Sequence, residues 1–524
     1  MKNISPIIGF AIFMLHVSIL SGQKINSTQI DSIVQVSMDM MTHVGIAVAV
    51  IQDGEVIHSK GYGIASSSSG EKVNENTLFA IASNSKSFTA AALAILVDEG
   101  KLDWNDKVIK YIPEFKMYDS YVTENFNIID LLTHRSGLGL GAGDLLFFPD
   151  GSDFGMGDVL NSFQYQKPTS AFRTKFDYDN LLYVVAGEVV SRISGMTWAE
   201  FVELRIMKPL GMKRSAGIFQ NLKDKSNVAL PHSTAKGEIK ELTTYLKNDG
   251  SLGAAGGIYS SIHDMSKWLL VQLNEGKYGA NLSNQLFSTK SQQMMWRPHT
   301  NMHFATKPTD AYKSHFRAYG LGWFMSDKNG YITIEHTGGL PGMLSSTLVI
   351  PELNAAVVVL TNAAPGGYSF WSIRAEIMDL LLGVKRKDWI LEMKGRIENS
   401  ESKGDSVVNA VWATASKSKS DHLDLNNFVG HYKDNWFGKV EISLKEGKLW
   451  FSSLRSPKLT GQMHYYQANT FAVKWFYEDM ECDAFAMFNL DENGKALNIK
   501  MKGISPNIDF SFDFQDLDLQ RETE

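Results

Sequence analysis

The chain has a single cysteine, Cys482, in 524 residues. No intrachain disulfide is therefore possible, and a lone thiol in a β-rich stretch reads as an inert core residue. An exported protein built this way must rely on its hydrophobic core. Positive charge is not in excess either. Fifty-one Lys and Arg face 57 Asp and Glu, a formal net charge of −6, and no basic patch offsets it. That balance excludes a nucleic-acid binder. The N-terminal apolar run from Ile7 to Leu20 is too short to span a membrane. Nothing of the form Gly-x-Ser-x-Gly occurs, which excludes the nucleophile elbow of an α/β-hydrolase.

Hydrophobic residues make up 44% of the chain and aromatics 11%, a composition that can bury a sizeable core. The length predicts more than one domain, with room for one large core of about 350 residues. Lys2, the apolar run to Leu20 and the small residues Ser21-Gly22 have the layout of a secretory signal. Residues 1–22 are thus expected to direct export to the periplasm or the medium, with cleavage near Gly22. No cysteine follows the apolar run, so a lipid anchor is not expected.

Apolar spacing predicts a helix over about Thr28–Met41, then a buried strand over Val44–Ile51. Asp53-Gly54 suits a type I′ turn into a second strand ending near Gly63. Further strands are expected at Tyr331–Glu335, Leu344–Ile350 and Ala355–Leu360, and a helix at Trp371–Leu382. Residues 384–424 are polar and read as a partly helical linker. Beyond it, alternating segments at Lys439–Ser443, Leu449–Ser452, Thr470–Trp475, Ala484–Asn489 and Asn507–Phe514 predict a separate antiparallel domain over 425–524. His299 and His303 have the spacing of paired metal ligands, but Pro298 and polar neighbours predict a loop, and no third ligand is evident. Gly137, Gly139 and Ala142 fit a dinucleotide fingerprint only as a bare pattern, with no strand before them. Neither a metal nor another cofactor is expected.

The stretch that carries chemistry is Phe79–Thr89. Ser83 stands three residues before Lys86 at the start of an apolar helix-forming run, so both face the same way. A serine hydroxyl is a poor nucleophile until a base takes its proton, and a desolvated lysine can help do so. The helix N-terminus adds free N–H groups suited to an oxyanion. Ser21, Ser69, Ser233, Ser400 and Ser416 open the same Ser-x-x-Lys pattern, so the motif alone decides little. Two partners single out Ser83. Tyr178-Asp179-Asn180 contains the only Tyr-x-Asn of the chain, and His336-Thr337-Gly338-Gly339 follows a predicted strand.

This set resembles the serine β-lactamase and penicillin-recognising superfamily, in the form seen in class C β-lactamases and related D-alanyl-D-alanine carboxypeptidases, D-aminopeptidases and esterases. The resemblance spans about residues 30–383 and extends to Leu132–Leu138, Pro209–Met212 and Tyr319–Trp323; the segment after Leu425 resembles the small β-barrel behind some of these hydrolases. It implies an α+β fold, an antiparallel sheet flanked by helices with a mostly helical inserted subdomain over 23–383, followed by an all-β barrel or sandwich. It implies that Ser83 attacks a carbonyl, and that Tyr178, its pKa lowered by Lys86, is the general base. Asn180 would bind the substrate amide or Lys86, and His336, Thr337 and Gly338 would bind substrate. The N–H groups of Ser83 and Gly339 would form the oxyanion hole. The family's usual third-motif lysine is here His336, a largely neutral imidazole and a weak anchor for a carboxylate. That shifts the expectation from a potent β-lactamase towards a peptidase or esterase acting on a small-molecule or peptide substrate. A penicillin-binding receptor that stays acylated and a true β-lactamase remain the alternatives.

Overall fold

The computed structural model describes residues 24–243, 252–420, 423–480 and 482–522. The expected signal segment, residues 1–22, lies outside them. Helix α1 (Ser27–Met40) opens at Asn26, whose side chain accepts the Gln29 N–H in a capping box. Strands β1 (Gly45–Gln52) and β2 (Glu55–Gly63) follow. Their turn has φ of 53° at Asp53 and 77° at Gly54, the two positive values that a type I′ turn requires.

Six more strands complete this sheet: β3 (Thr300–Phe304), β4 (Phe316–Tyr319), β5 (Phe324–Lys328), β6 (Tyr331–Leu340), β7 (Met343–Ile350) and β8 (Ala355–Thr361). The antiparallel order is β2-β1-β8-β7-β6-β5-β4-β3. His303 thus sits on an edge strand, where a loop was expected. Every residue of β1 is buried because both faces are covered. Ile46, Val48 and Val50 pack with α1 and with the helix over Ser369–Leu382; Ala47, Ala49 and Ile51 join the core on the other face. Strand side chains alternate, so a continuous apolar run is what a doubly covered strand needs.

The second face carries α2 (Ser85–Asp98), α3 (Leu181–Ser194) and α4 (Ile262–Leu273), with Phe88 of α2 stacked on Trp268 of α4 at 4.0 Å. Together with the short helices between residues 120 and 210, they form the helical subdomain. Helix α5 (Ser369–Leu382) lies under the first face, next to α1. The region expected to be a linker is mostly one 27-residue helix, α6 (Trp389–Ala415). It packs against α1 and α5 at one end; at the other, Val411 meets Ala472 and Ile504 of the tail, and Trp412 donates to Asp483. Apolar residues are sparse along it because each end touches a different body.

The tail is a closed eight-stranded barrel, with strands from Gly430–Asp434 to Leu519–Arg521 and the last pairing with the first. Closure leaves no free sheet edge. Tyr432, Val440, Phe451, Phe471 and Phe488 are among the side chains that fill it. Asn507–Phe514, expected as a strand, is instead a loop that leaves the barrel and reaches the larger domain. Among the described residues, no helix is long and apolar enough to cross a membrane.

Candidate functional site

A short strand, Phe79–Ala80, leads into a 3₁₀ turn over Ala82–Asn84, and α2 begins at Ser85. Ser83 therefore stands in the tight turn, two residues before the α-helix that was expected to hold it. Ala82 has φ of +46°, a left-handed conformation that costs a non-glycine residue about 1–2 kcal/mol. The surroundings hold it there. Ile81 N–H donates to Ile258 O (2.9 Å), and Ser345 Oγ donates to Ile81 O (2.6 Å). Asn84 is clamped by Ser345 (2.8 Å) and Thr347 (2.6 Å). Gly338 of β6 passes beneath; a Cβ there would lie 2.3 Å from Ile81 O and 2.9 Å from Ser83 N.

Ser83 and Lys86 converge as expected: Lys86 Nζ donates to Ser83 Oγ at 3.1 Å. The lysine is fully buried. Its other partners are neutral, Asn180 Oδ1 (2.7 Å) and Ala255 O (2.8 Å). Burial drives its pKa down to about 7, only partly offset by the charges of Asp144 and Asp179. Lys86 thus exists in good part as a free amine at neutral pH. Asn180 is held from both ends, since its Nδ2 donates to Asp144 Oδ2 (2.8 Å). Of its two expected partners, the amide serves Lys86.

Tyr178 lines the cavity beside Ser83, with its ring under Nζ of Lys86, 4.8 Å from the centroid. The expectation that Lys86 lowers its pKa fails. Burial pushes the phenol well above its ordinary value, and the facing Ser83 hydroxyl offsets this only in part. The lysine lies over the ring face, while burial withholds the water that a phenolate needs. Asp179 turns back to accept Leu182 N–H (3.1 Å) at the start of α3. Its own N–H donates to Nδ1 of His134 (3.1 Å), whose ring lies 4.1 Å from that of Tyr178.

His336 is buried and neutral, its pKa lowered to about 3, first by burial and then by Lys86. Its Nδ1–H donates to Thr337 O (2.6 Å), and its Nε2 accepts from Tyr319 Oη (3.0 Å). Thr337 and Gly339 line the cavity with Ser83. Gly338, between them, lies against the Ser83 turn, where only a glycine fits. The cavity holds about 610 Å³. Arg317 of β4 lies at its rim, exposed, over the ring of Phe324 at 4.9 Å.

Sequence reasoning missed several members. Asp144, buried, accepts from Asn180 and from Ser511 Oγ (2.8 Å), a residue of the tail. Asp513 accepts the N–H groups of Gly143 (2.8 Å) and Leu145 (2.9 Å). Residues 507–512 form one wall of the cavity. The apolar alternation of Ile508, Phe510, Phe512 and Phe514 was the available signal, and it reports burial without saying against what. Among the described residues, no group of three or more His, Cys, Asp or Glu side chains is placed to hold a metal.

Residues 30–374 match the family described as Beta-lactamase, and residues 414–521 match a domain of unknown function, DUF3471. The chain is 28% identical over 376 residues to an unguisins hydrolase of Aspergillus campestris, covering 68% of this chain and 66% of that one. It is 27% identical over 344 residues to protein flp of Staphylococcus aureus, covering 64% and 62%. The chain thus spans just under two thirds of the length of these two relatives. Two solved structures share the fold. An octameric penicillin-binding protein homologue from Pyrococcus abyssi has a TM-score of 0.58 at 20% identity, covering 92% of this chain and 99% of that one. A D-amino acid amidase from Ochrobactrum anthropi has a TM-score of 0.55 at 20% identity, covering 70% and 98%. With the family match extending over most of the chain and the three motifs meeting in one cavity, the protein belongs to the Beta-lactamase family.

Proposed function

We propose that this protein is an exported serine hydrolase that cleaves an ester or amide through an acyl-enzyme on Ser83. The observation that carries the reading is the 3.1 Å contact between Ser83 Oγ and a buried Lys86 whose pKa is near 7. The free amine of Lys86 takes the Ser83 proton as Oγ bonds to the carbonyl carbon. The N–H groups of Ser83 and Gly339 receive the oxyanion. The neutral Tyr178 phenol gives its proton to the leaving amine or alkoxide and regains one from Lys86. Water then attacks the acyl-enzyme, again with Lys86 as base, and Ser83 is restored.

Names of relatives support the hydrolytic class, an unguisins hydrolase and a D-amino acid amidase among them. Neutral His336 offers a substrate carboxylate no charge, which favours peptidase or esterase activity over potent β-lactam turnover. Export rests on the layout of residues 1–22, and N-terminal sequencing of the secreted protein tests it.

The main test combines a fluorophosphonate probe with p-nitrophenyl esters, D-amino-acid amides and nitrocefin. The adduct is expected on the Ser83 peptide, with esters or amides turned over faster than nitrocefin. An adduct on Ser69 or another serine contradicts the reading. A penicilloyl-enzyme that persists for hours without hydrolysis would favour the penicillin-binding receptor.

A further inference from the structure

Lys86 Nζ meets three oxygens: Ser83 Oγ (3.1 Å), Asn180 Oδ1 (2.7 Å) and Ala255 O (2.8 Å). An ammonium can give each of them a proton. The free amine has only two N–H groups and a lone pair, so one of the three contacts must face the lone pair. Asn180 Oδ1 and Ala255 O can only accept, whereas a serine hydroxyl can also donate. The two N–H groups therefore go to the amide and the main chain, and the lone pair is left for the Ser83 proton.

This holds only while Asn180 turns its oxygen to Lys86. With the amide reversed, Nδ2 would donate to the lone pair and Ser83 would meet an N–H. The oxygen and nitrogen of an amide are nearly alike in size, so packing does not choose between the two settings; hydrogen bonds do. The choice is made at the far end of the amide. Nδ2 donates to Asp144 Oδ2 at 2.8 Å, and the same oxygen accepts from Ser511 Oγ at 2.8 Å. Reversal would set the Asn180 oxygen against an oxygen that is itself an acceptor. Asn180 and Asp144 are both buried, so bulk water does not relieve that clash.

Asp144 is in turn held by the barrel. Asp513 accepts the N–H groups of Gly143 (2.8 Å) and Leu145 (2.9 Å), the residues on either side of it. Gly141, with φ of +73°, lets the barrel loop pass so close that a Cβ would lie 2.5 Å from Phe510 O. The loop after the Ala496–Gly503 strand thus fixes Asp144, Asp144 fixes Asn180, and Asn180 fixes Lys86.

Resting on the hydrolase reading above, we infer that Asp144 is a positioning residue: by holding Asn180 Nδ2 it makes the amide present its oxygen to Lys86, and so directs the Lys86 lone pair at Ser83. The barrel is part of this device through Ser511 and Asp513. No proton passes through Asp144.

The test is the rate at which a fluorophosphonate labels Ser83 at pH 9, well above the Lys86 pKa of about 7. Lys86 is then a free amine, and the rate reports where its lone pair points. Asp144→Leu keeps the volume and loses the acceptor. It should slow labelling by about thirty-fold, less than the roughly hundred-fold or more of losing a general base outright. Asp144→Asn still offers Nδ2 an oxygen and should label about ten-fold faster than Asp144→Leu. In an Asn180→Ala background there is no amide to orient, and Asp144→Leu should change the rate by less than about two-fold. A wild-type rate in Asp144→Leu, or the same fall with and without Asn180, overturns the inference. If Asp144→Leu does not fold, Ser511→Ala takes its place, removing one hydroxyl from the barrel loop. It should slow labelling about three-fold, and the effect should vanish in the Asn180→Ala background. No fall, or a fall that persists there, overturns the inference. All these outcomes leave the hydrolase reading standing. Failure of the wild type to label at Ser83 sinks that reading and, with it, this one.

Discussion

Among the described residues of the larger domain, Lys86 is fully buried and Lys328 half-buried, and the two fare differently. Lys328, at the end of β5, meets Glu335 at 3.2 Å, and Arg374 meets the same carboxylate at 3.0 Å. Lys86 meets an amide oxygen, a main-chain carbonyl and a serine hydroxyl. Burial lowers the pKa of both. At Lys328 the adjacent carboxylate, itself held down at about 2 by Arg374 and Lys328, opposes the shift. At Lys86 the carboxylates stand one residue further off, and the value falls to about 7. Depth alone therefore does not make a base. What matters is depth with dipoles as neighbours in place of an opposite charge. The first arrangement ties two strands together; the second leaves a proton acceptor beside a hydroxyl.

Removing each lysine should separate chemistry from stability. Lys86→Met is expected to lower kcat by about a thousand-fold, the scale of a lost general base, with no loss of thermal stability. Lys328→Met should do the opposite. It leaves Glu335 with Arg374 alone and should cost about 3 kcal/mol in denaturant unfolding, near the lower end for breaking a buried pair. Activity per folded molecule should stay within about three-fold, a margin far smaller than any general-base loss.

The comparison sharpens if Lys86 is given the environment of Lys328. Asn180→Asp is nearly isosteric and places a carboxylate where the 2.7 Å amide contact now lies. The Lys86 pKa should rise by a unit or more, moving the acid limb of the pH–rate profile to higher pH and cutting the rate at pH 7 by about ten-fold. An unchanged profile would show that the neutral setting of Lys86 is not what tunes it.

Stability should also respond to pH. The Lys86 pKa is about 7 when folded and near its ordinary value of 10.5 when unfolded. Between these values the unfolded chain binds more protons, so this group's contribution to stability rises with pH. It is fully present above 10.5 and is lost as pH falls through 7. Wild type should therefore gain on Lys86→Met by up to about 1.4 kcal/mol per pH unit from pH 7 to 9, measured by urea unfolding. A flat difference contradicts the lowered value.

The same contrast explains what could be read before the fold was known. Val44–Ile51 was legible because a doubly covered strand must be apolar throughout. Ser83, Lys86, Tyr178 and Asn180 were legible because their chemistry needs fixed spacing and order. The neutrality of the Tyr178 phenol was not, since burial is a property of the surroundings and outweighs a lysine 4.8 Å from the ring. Nor was the barrel's share of the site. Ser511 reaches Asp144 across 367 residues, and no local pattern records such a pairing. The alternation at Ile508–Phe514 mimicked a strand because Phe510 and Phe512 are packed on Tyr178 and Phe148, in another domain.

The most direct test of the central claim is the rate at which a fluorophosphonate labels Ser83 as a function of pH, in the wild type and in Lys86→Met. If Lys86 is the base, the wild-type rate rises through a midpoint near pH 7 and levels off above it, and the variant is slow throughout. A rate that climbs only towards pH 10 and survives Lys86→Met would make the phenolate of Tyr178 the base and contradict this account.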